Sequence, residues 1–287
     1  MNIINENILN QVYKSRKKTD RKYIHGILLI IGGGEFYSGA PALTGMAAFR
    51  AGVDMVRIIA PKRPADIIAN FSPNLAAFPL KGDYLSKEHL PILLSMIESS
   101  KIISQGRSAV VIGGGLGRSE EVKETVLEYI SKVDEPIVID ADGIHAISKN
   151  PKIINNKDCL LTPHSYEFYI LTKREVEDLK TEEKIKIVKE EAKKLKTTIL
   201  LKGRVDIISN GDETAINKTG NPAMTVGGTG DTLAGICGCF LTWNIKSFTA
   251  ACAAAYLNGR AGDIAVKRYK EGLLATDIIN AISEIIP

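Results

Sequence analysis

Residues 220–235 read GNPAMTVGGTGDTLAG, five glycines and a single carboxylate, Asp231, placed where the chain turns apolar. Gly227, Gly228 and Gly230 lack a Cβ, so the backbone there can take angles closed to other residues and let a ligand approach the main chain. The following TLAGICGCFLTW reads as a buried or nearly buried helix. The first amides of a helix have no internal partners and carry the positive end of its dipole, which suits them to an anion such as phosphate. A carboxylate would repel that anion. Asp231 fits such a place if it takes a proton from a hydroxyl that attacks a phosphoryl group. The alternative, which this segment alone leaves open, is a glycine turn with Asp231 capping the helix. A Walker A loop would need a lysine at the helix start, and its spacing is absent.

Five further clusters tip the balance toward a site. GGGEFYSGA, GGGLGR, DADG, TPHSYE and KGRVD each follow an apolar run. In an open parallel sheet such ends lie along one edge, where ligands bind. Neither glycine triplet matches the dinucleotide fingerprint G-x-G-x-x-G, which disfavours a Rossmann cofactor site. Asp140 and Asp142 are two apart at a strand end, so their side chains point opposite ways. One would cap the next helix and the other help hold Mg²⁺ through water. His164 and Glu167, three apart in a first helical turn, can share a ligand. Lys202 ends a buried strand, where an ammonium needs a partner or a phosphate.

The elements that would position these residues are strands alternating with helices. Strands are expected at 26–34, 53–60, 109–113, 135–140, 158–161 and 197–203, with a short one near 75–80. VDIISNGDETAIN reads as a hairpin with a tight turn at Asn210-Gly211. Helices are expected at 39–52, within KEHLPILLSMIES and EEVKETVLEYISK, over 181–195 and in three C-terminal segments. The stretch after residue 60 reads as irregular. This order predicts an α/β fold with a central, mostly parallel sheet and helices on both faces. No linker divides the 287 residues, so one domain is expected over 1–287, with 1–21 a polar, basic extension outside the sheet.

At 45 % apolar residues the chain can fill a large core. No apolar run is long enough to span a bilayer, and the start lacks a signal pattern, so a cytoplasmic protein without a membrane partner is expected. Four cysteines have no zinc spacing and read as core thiols. The basic run KSRKKTDRK has no interleaved aromatics, which argues against nucleic acid and for a solvated face.

YSGAPALTGMAAFRAG, GGGLG, DADG, TPHSYEF, LKG and GNPAMTVGGTGDTLAG together resemble, in order, the NAD(P)H-hydrate dehydratases of the ribokinase-like superfamily. The resemblance runs from about Lys22 to the C-terminus. It implies cofactor repair: removal of water from the S epimer of NADH or NADPH hydrated at C6, at the expense of ADP or ATP. It implies Asp231 as the base that deprotonates the C6 hydroxyl, and the amides of Gly227, Gly228, Thr229 and Gly230 as the anion hole. Ala40, Gly115, His164 and Asp231 would contact the hydrated dinucleotide. Lys202, Gly203, Arg204, Val205, Asp206 and Gly230 would contact the nucleotide. Glu167 and Asp142 would serve Mg²⁺, with ADP the expected donor. Ser165-Tyr166 and Asp206 depart from the family's usual Pro-Gly and Thr.

A homo-oligomer, with a tetramer allowed, is expected from relatives, and the apolar C-terminal helices could supply its contact. The segment before the first strand is too short for the epimerase domain that precedes this unit in many relatives. The alternatives are a small-molecule kinase of the same superfamily and a nucleotide sensor without turnover.

Overall fold

The computed structural model describes residues 2–287. Along the chain run β1 (Asn2–Ile3), α1 (Asn7–Val12), β2 (Ile27–Ile31), α2 (Gly39–Ala51), β3 (Met55–Pro61), α3 (Lys62–Phe71) and β4 (Ala76–Leu80). Then come α4 (Leu90–Ile103), β5 (Ser108–Ile112), α5 (Glu120–Lys132), β6 (Ile137–Ile139), α6 (Ala141–Ile147), β7 (Cys159–Leu161), α7 (Ser165–Thr172) and α8 (Thr181–Leu195). The last elements are β8 (Thr198–Leu201), β9 (Asp206–Ser209), β10 (Thr214–Asn217), α9 (Thr229–Thr242), α10 (Ser247–Tyr269) and α11 (Ala275–Ala281).

Among the described residues ten strands join one sheet in the order β1-β10-β9-β8-β7-β6-β5-β2-β3-β4. Only β9 runs antiparallel to its neighbours. The central strands are apolar throughout because both faces are covered. Leu28 and Ile30 of β2 point to a core shared with α1, α2, α9, α10 and α11. Leu29 and Ile31 point to the opposite core, built with α4, α5, α6, α7 and α8. Each such residue fully buried contributes about 1.5–3 kcal/mol, so the middle of the sheet is the rigid part from which the loops project.

Three expectations are corrected. The N-terminal segment is not outside the sheet: Asn2 and Ile3 pair with Ala215 and Ile216, and Leu9 and Val12 enter the core. The stretch after residue 60 is helical, because Pro64 sits in a first turn that tolerates it and Ala65 and Ile68 find the core beneath. The hairpin turn is a four-residue loop, 210–213, in which Asn210 Oδ1 accepts from the amides of Asp212 and Glu213. All four cysteines are free and buried. The apolar faces of α9 and α10 are spent in the core and are not free for a partner.

Helices α2 and α9 approach to backbone contact: a Cβ on Gly235 would lie 2.1 Å from the carbonyl oxygen of Thr44. Both helices start at the loop edge of the sheet, so this contact sets Ala40 relative to Asp231. Gly235→Ala should therefore lower the free energy of unfolding by about 2 kcal/mol or more, through overpacking against a backbone that cannot yield. Urea denaturation measures this, and an unchanged midpoint would contradict the close approach.

Candidate active site

The loops following the parallel strands β2, β5, β6, β7 and β8 emerge on one edge and meet the first turn of α9. Residue 228, just before that turn, has φ +96°, a conformation that suits glycine. The Thr229 hydroxyl is used in the turn itself, donating to the carbonyls of Met224 and Val226. That leaves its backbone amide as the group it could offer an anion. A Cβ on Gly227 would meet only open space, so the approach to these amides is unobstructed.

Asp231 lies against the β5 loop. A Cβ on Gly114 would be 3.0 Å from Asp231 Oδ1 and 3.2 Å from the Ala40 Cβ. Gly115 (φ +69°) is where a Cβ would strike Tyr37, and Ala40 lies next to it. Asp231, Ala40 and Gly115, expected to share one ligand, are thus brought together. Among the described residues no side chain or amide donates a hydrogen bond to Asp231, which leaves its oxygens free to take a proton. Burial, then the charge of Asp140, pushes the Asp231 carboxyl up to about 7, with Lys202 acting in the opposite sense. A base with that proton affinity is suited to work near neutrality.

Lys202 supplies the positive charge. Its Nζ donates to Asp140 Oδ1 at 2.9 Å and lies 3.8 Å from Glu167 Oε2. A Cβ on Gly230 would be 3.3 Å from this same Nζ, so the ammonium sits beside the start of α9. Burial lowers its pKa, but attraction to Asp140 and Glu167, and then Asp231, outweighs burial and holds it above the ordinary value. Lys202 is therefore a fixed cation. Asp140 is fixed in turn by the Thr162 hydroxyl at 2.8 Å.

His164 and Glu167 form a reciprocal cap at the start of α7. His164 Nδ1 accepts from the amides of Tyr166 and Glu167, and Glu167 Oε2 accepts from the His164 amide at 2.9 Å. Burial raises the Glu167 pKa, Lys202 opposes this, and Asp140 adds to it.

Two expected residues are placed otherwise. Asp142, assigned to Mg²⁺, turns away from the charge cluster: it accepts from the Gly117 amide at 2.9 Å and from Arg118 Nε at 2.7 Å, bracing the β5 loop. Its neighbour Asp140 is the carboxylate that faces the site. Asp206, assigned to the nucleotide, closes its own loop by accepting from the Gly203 amide and from Asn217 Nδ2, each at 3.0 Å. Val205 packs partly into the core, while Gly203 and Arg204 are exposed. Asn258, not anticipated, steadies the first turn of α9 by accepting from the Thr232 hydroxyl at 2.7 Å. An asparagine inside the alanine-rich AACAAAYLNG was the signal available for it.

Among the described residues no three His, Cys, Asp or Glu side chains converge on a metal cage. Mg²⁺ needs none: one or two carboxylates plus substrate phosphates and water suffice. Asp140 and Glu167, on either side of Lys202, fit that requirement.

A family model described as NAD(P)H-hydrate dehydratase matches residues 28–284. The chain is 39 % identical over 271 residues to the Bifunctional NAD(P)H-hydrate repair enzyme Nnr of Archaeoglobus fulgidus, covering 94 % of this chain and 53 % of that protein. The chain thus spans about half the length of the bifunctional relatives that it matches. It is 35 % identical over 280 residues to the ADP-dependent (S)-NAD(P)H-hydrate dehydratase of Nitrosopumilus maritimus, covering 97 % and 94 % of the two chains. The ADP/ATP-dependent NAD(P)H-hydrate dehydratase of Bacillus subtilis, co-crystallized with ATP/Mg²⁺, superposes with a TM-score of 0.80 at 24 % identity, over 99 % and 97 % of the chains. The fold is ribokinase-like.

Holding Asp231 in this pocket works against stability. Its folded proton affinity is raised, so the folded state is favoured while the group is protonated and loses stability as pH rises toward about 7. Asp231→Asn removes this burden. The variant should be more stable than wild type at pH 8 by ~2 kcal/mol, allowing for partial exposure of the carboxylate, with the gap closing toward pH 4. Paired thermal melts at the two pH values measure it, and a destabilised variant at pH 8 would contradict the electrostatic account.

Proposed function

The chain belongs to the NAD(P)H-hydrate dehydratase family, and on that premise we propose that it returns the S epimer of hydrated NADH or NADPH to the intact cofactor, using ADP or ATP. The observation that carries this reading is the pairing at the start of α9: a carboxylate raised to about 7 and without a hydrogen-bond donor, beside open helix amides and a fixed ammonium. A small-molecule kinase would use the same base, but the family match does not favour it.

Hydroxide is a poor leaving group at neutral pH, so the C6 hydroxyl must first be converted into a better one. In this reading Asp231 takes the hydroxyl proton as the oxygen attacks the terminal phosphorus of the nucleotide. The new P–O bond forms and the bond to the departing AMP, or ADP, breaks. The amides of Gly227, Gly228, Thr229 and Gly230 bind the charge on the transferred group, and Lys202 binds it from the side. The C6–O bond then breaks with the electrons of the ring nitrogen pushing phosphate out, and loss of a C5 proton restores the double bond. Hydrate and ADP yield dinucleotide, AMP and phosphate.

Mg²⁺, held by Asp140 and Glu167, would neutralise phosphate charge. Ala40 and Gly115 present a flat wall to the ring, since neither carries a side chain beyond Cβ. Gly203, Arg204 and Gly230 are left to meet the nucleotide, and Asp206 shapes their loop from inside.

We place the enzyme in the cytoplasm; no helix of the described residues is long and apolar enough to cross a membrane. The expected homo-oligomer remains part of this reading, with its contact elsewhere than on α9 and α10.

Chemically hydrated NADH, incubated with the protein, Mg²⁺ and either ADP or ATP, tests the reading through the near-ultraviolet absorbance of the restored dihydropyridine. The absorbance should rise only with nucleotide, ADP acting faster, and plateau at the S-epimer share. Asp231→Asn should slow the rise by ~10²–10⁴-fold while nucleotide binding persists. A flat trace from wild-type protein that binds both nucleotides would overturn the dehydratase reading.

A further inference from the structure

Beside the site stands a group of side chains that the chemistry above leaves unused. Tyr166, in the first turn of α7, is 55 % exposed. Among the described residues its hydroxyl has no hydrogen-bond partner, so neither end of this side chain serves the fold. Its ring lies nearly parallel to that of His164, at 18° and with centroids 6.4 Å apart, so the two rings form an aromatic shelf of one orientation whose exposed member is Tyr166. The Tyr166 ring also stands 6.3 Å from that of His145 in α6.

The neighbours of this shelf are polar and incompletely paired. Among the described residues His145 Nε2 is shielded from solvent and has no hydrogen-bond partner. Arg118 is held through its Nε by Asp142, which leaves the outer edge of an exposed guanidinium with no protein acceptor. Lys123, which is paired with Glu120 at 3.1 Å, also lies near His145. An exposed aromatic ring next to an oriented guanidinium matches a purine nucleotide: a base to stack and a phosphate for the guanidinium.

Two ligands of the reaction carry adenosine, and the topology separates them. The expected nucleotide loop, 202–206, follows β8 on one side of α7. Tyr166 leans the other way, toward α6 and the β5 loop, where Gly115, Gly117 and Arg118 lead outward from Asp231. We propose that the shelf of Tyr166 and His164, flanked by Arg118 and His145, is the subsite for the adenosine half of the hydrated dinucleotide. This rests on the function proposed above. It assigns to Tyr166, which stands where the resemblance predicts a glycine, a stacking role that anchors the half of the substrate remote from the chemistry and leaves the dihydropyridine end to Ala40, Gly115 and Asp231.

Kinetics with two hydrates separate this role from a structural one: hydrated NADH, and hydrated reduced nicotinamide mononucleotide, which lacks the adenosine half. Tyr166→Ala should raise KM for hydrated NADH by roughly 5- to 100-fold, the range for loss of one base stack. It should leave KM for the mononucleotide hydrate and for ADP unchanged, and Tyr166→Phe should behave like wild type. Equal KM values for hydrated NADH in wild type and Tyr166→Ala would overturn the subsite while leaving the dehydratase reading intact, as would a parallel rise for both hydrates. A rise in KM for ADP alone would assign the shelf to the other nucleotide and overturn it too. Absence of turnover by wild type with either hydrate would overturn both the function and the subsite.

Discussion

A lysine ammonium enclosed by carboxylates from three parts of the chain organises the loop edge of this sheet. Lys202 at the end of β8 reaches Asp140 at the end of β6 and Glu167 in α7, and feels Asp231 in α9. Burying any one of these charges alone would be costly, and removing one partner would strand the rest. The group therefore acts as a unit that ties four elements together at the place where a nucleotide phosphate would arrive. Asp231 is the member without a hydrogen-bond donor. Its proton affinity rises because it is buried near Asp140, and only partly falls because Lys202 is near.

The geometry that serves this charge cluster comes from small residues rather than from large ones. Gly235 lets α9 touch α2, so Asp231 on one helix and Ala40 on the other hold a fixed separation. Gly114 admits the Asp231 carboxylate against the β5 loop. The cores above and below the sheet fix the strands, while these close approaches determine where the loops converge. At Asp231 the fold holds a carboxylate that burial favours in its protonated form, and burial acts in the same sense on Glu167.

Much of this was legible in the residues. Each central strand is an apolar run because it is covered on both faces, and each ends in glycine or polar residues because it ends at the site. Asp231 stood out as a carboxylate where a bound anion would favour none. What stayed hidden depended on contacts between distant parts of the chain. A two-residue strand such as Asn2–Ile3 has no pattern of its own. Period-two geometry separated Asp140 from Asp142 but could not say which faced inward. Ala141, with φ +46°, starts α6 so that Asp142 folds back onto Gly117. Asp206 reads in sequence as a ligand contact, whereas Asn217, eleven residues on, holds it inside its own loop.

Asp231 can act as the base at neutral pH only if its proton affinity is raised in the folded protein. The most direct measurement is a ¹³C NMR titration of wild-type protein labelled at aspartate carboxyls, with the Asp231 signal identified by its loss in Asp231→Asn. A midpoint near 7 is the predicted result, and shows a carboxylate buried among like charge and able to accept a proton at neutral pH. A midpoint near 4, the ordinary value for an aspartate in water, would contradict the electrostatic arrangement and remove the physical basis for Asp231 as the base.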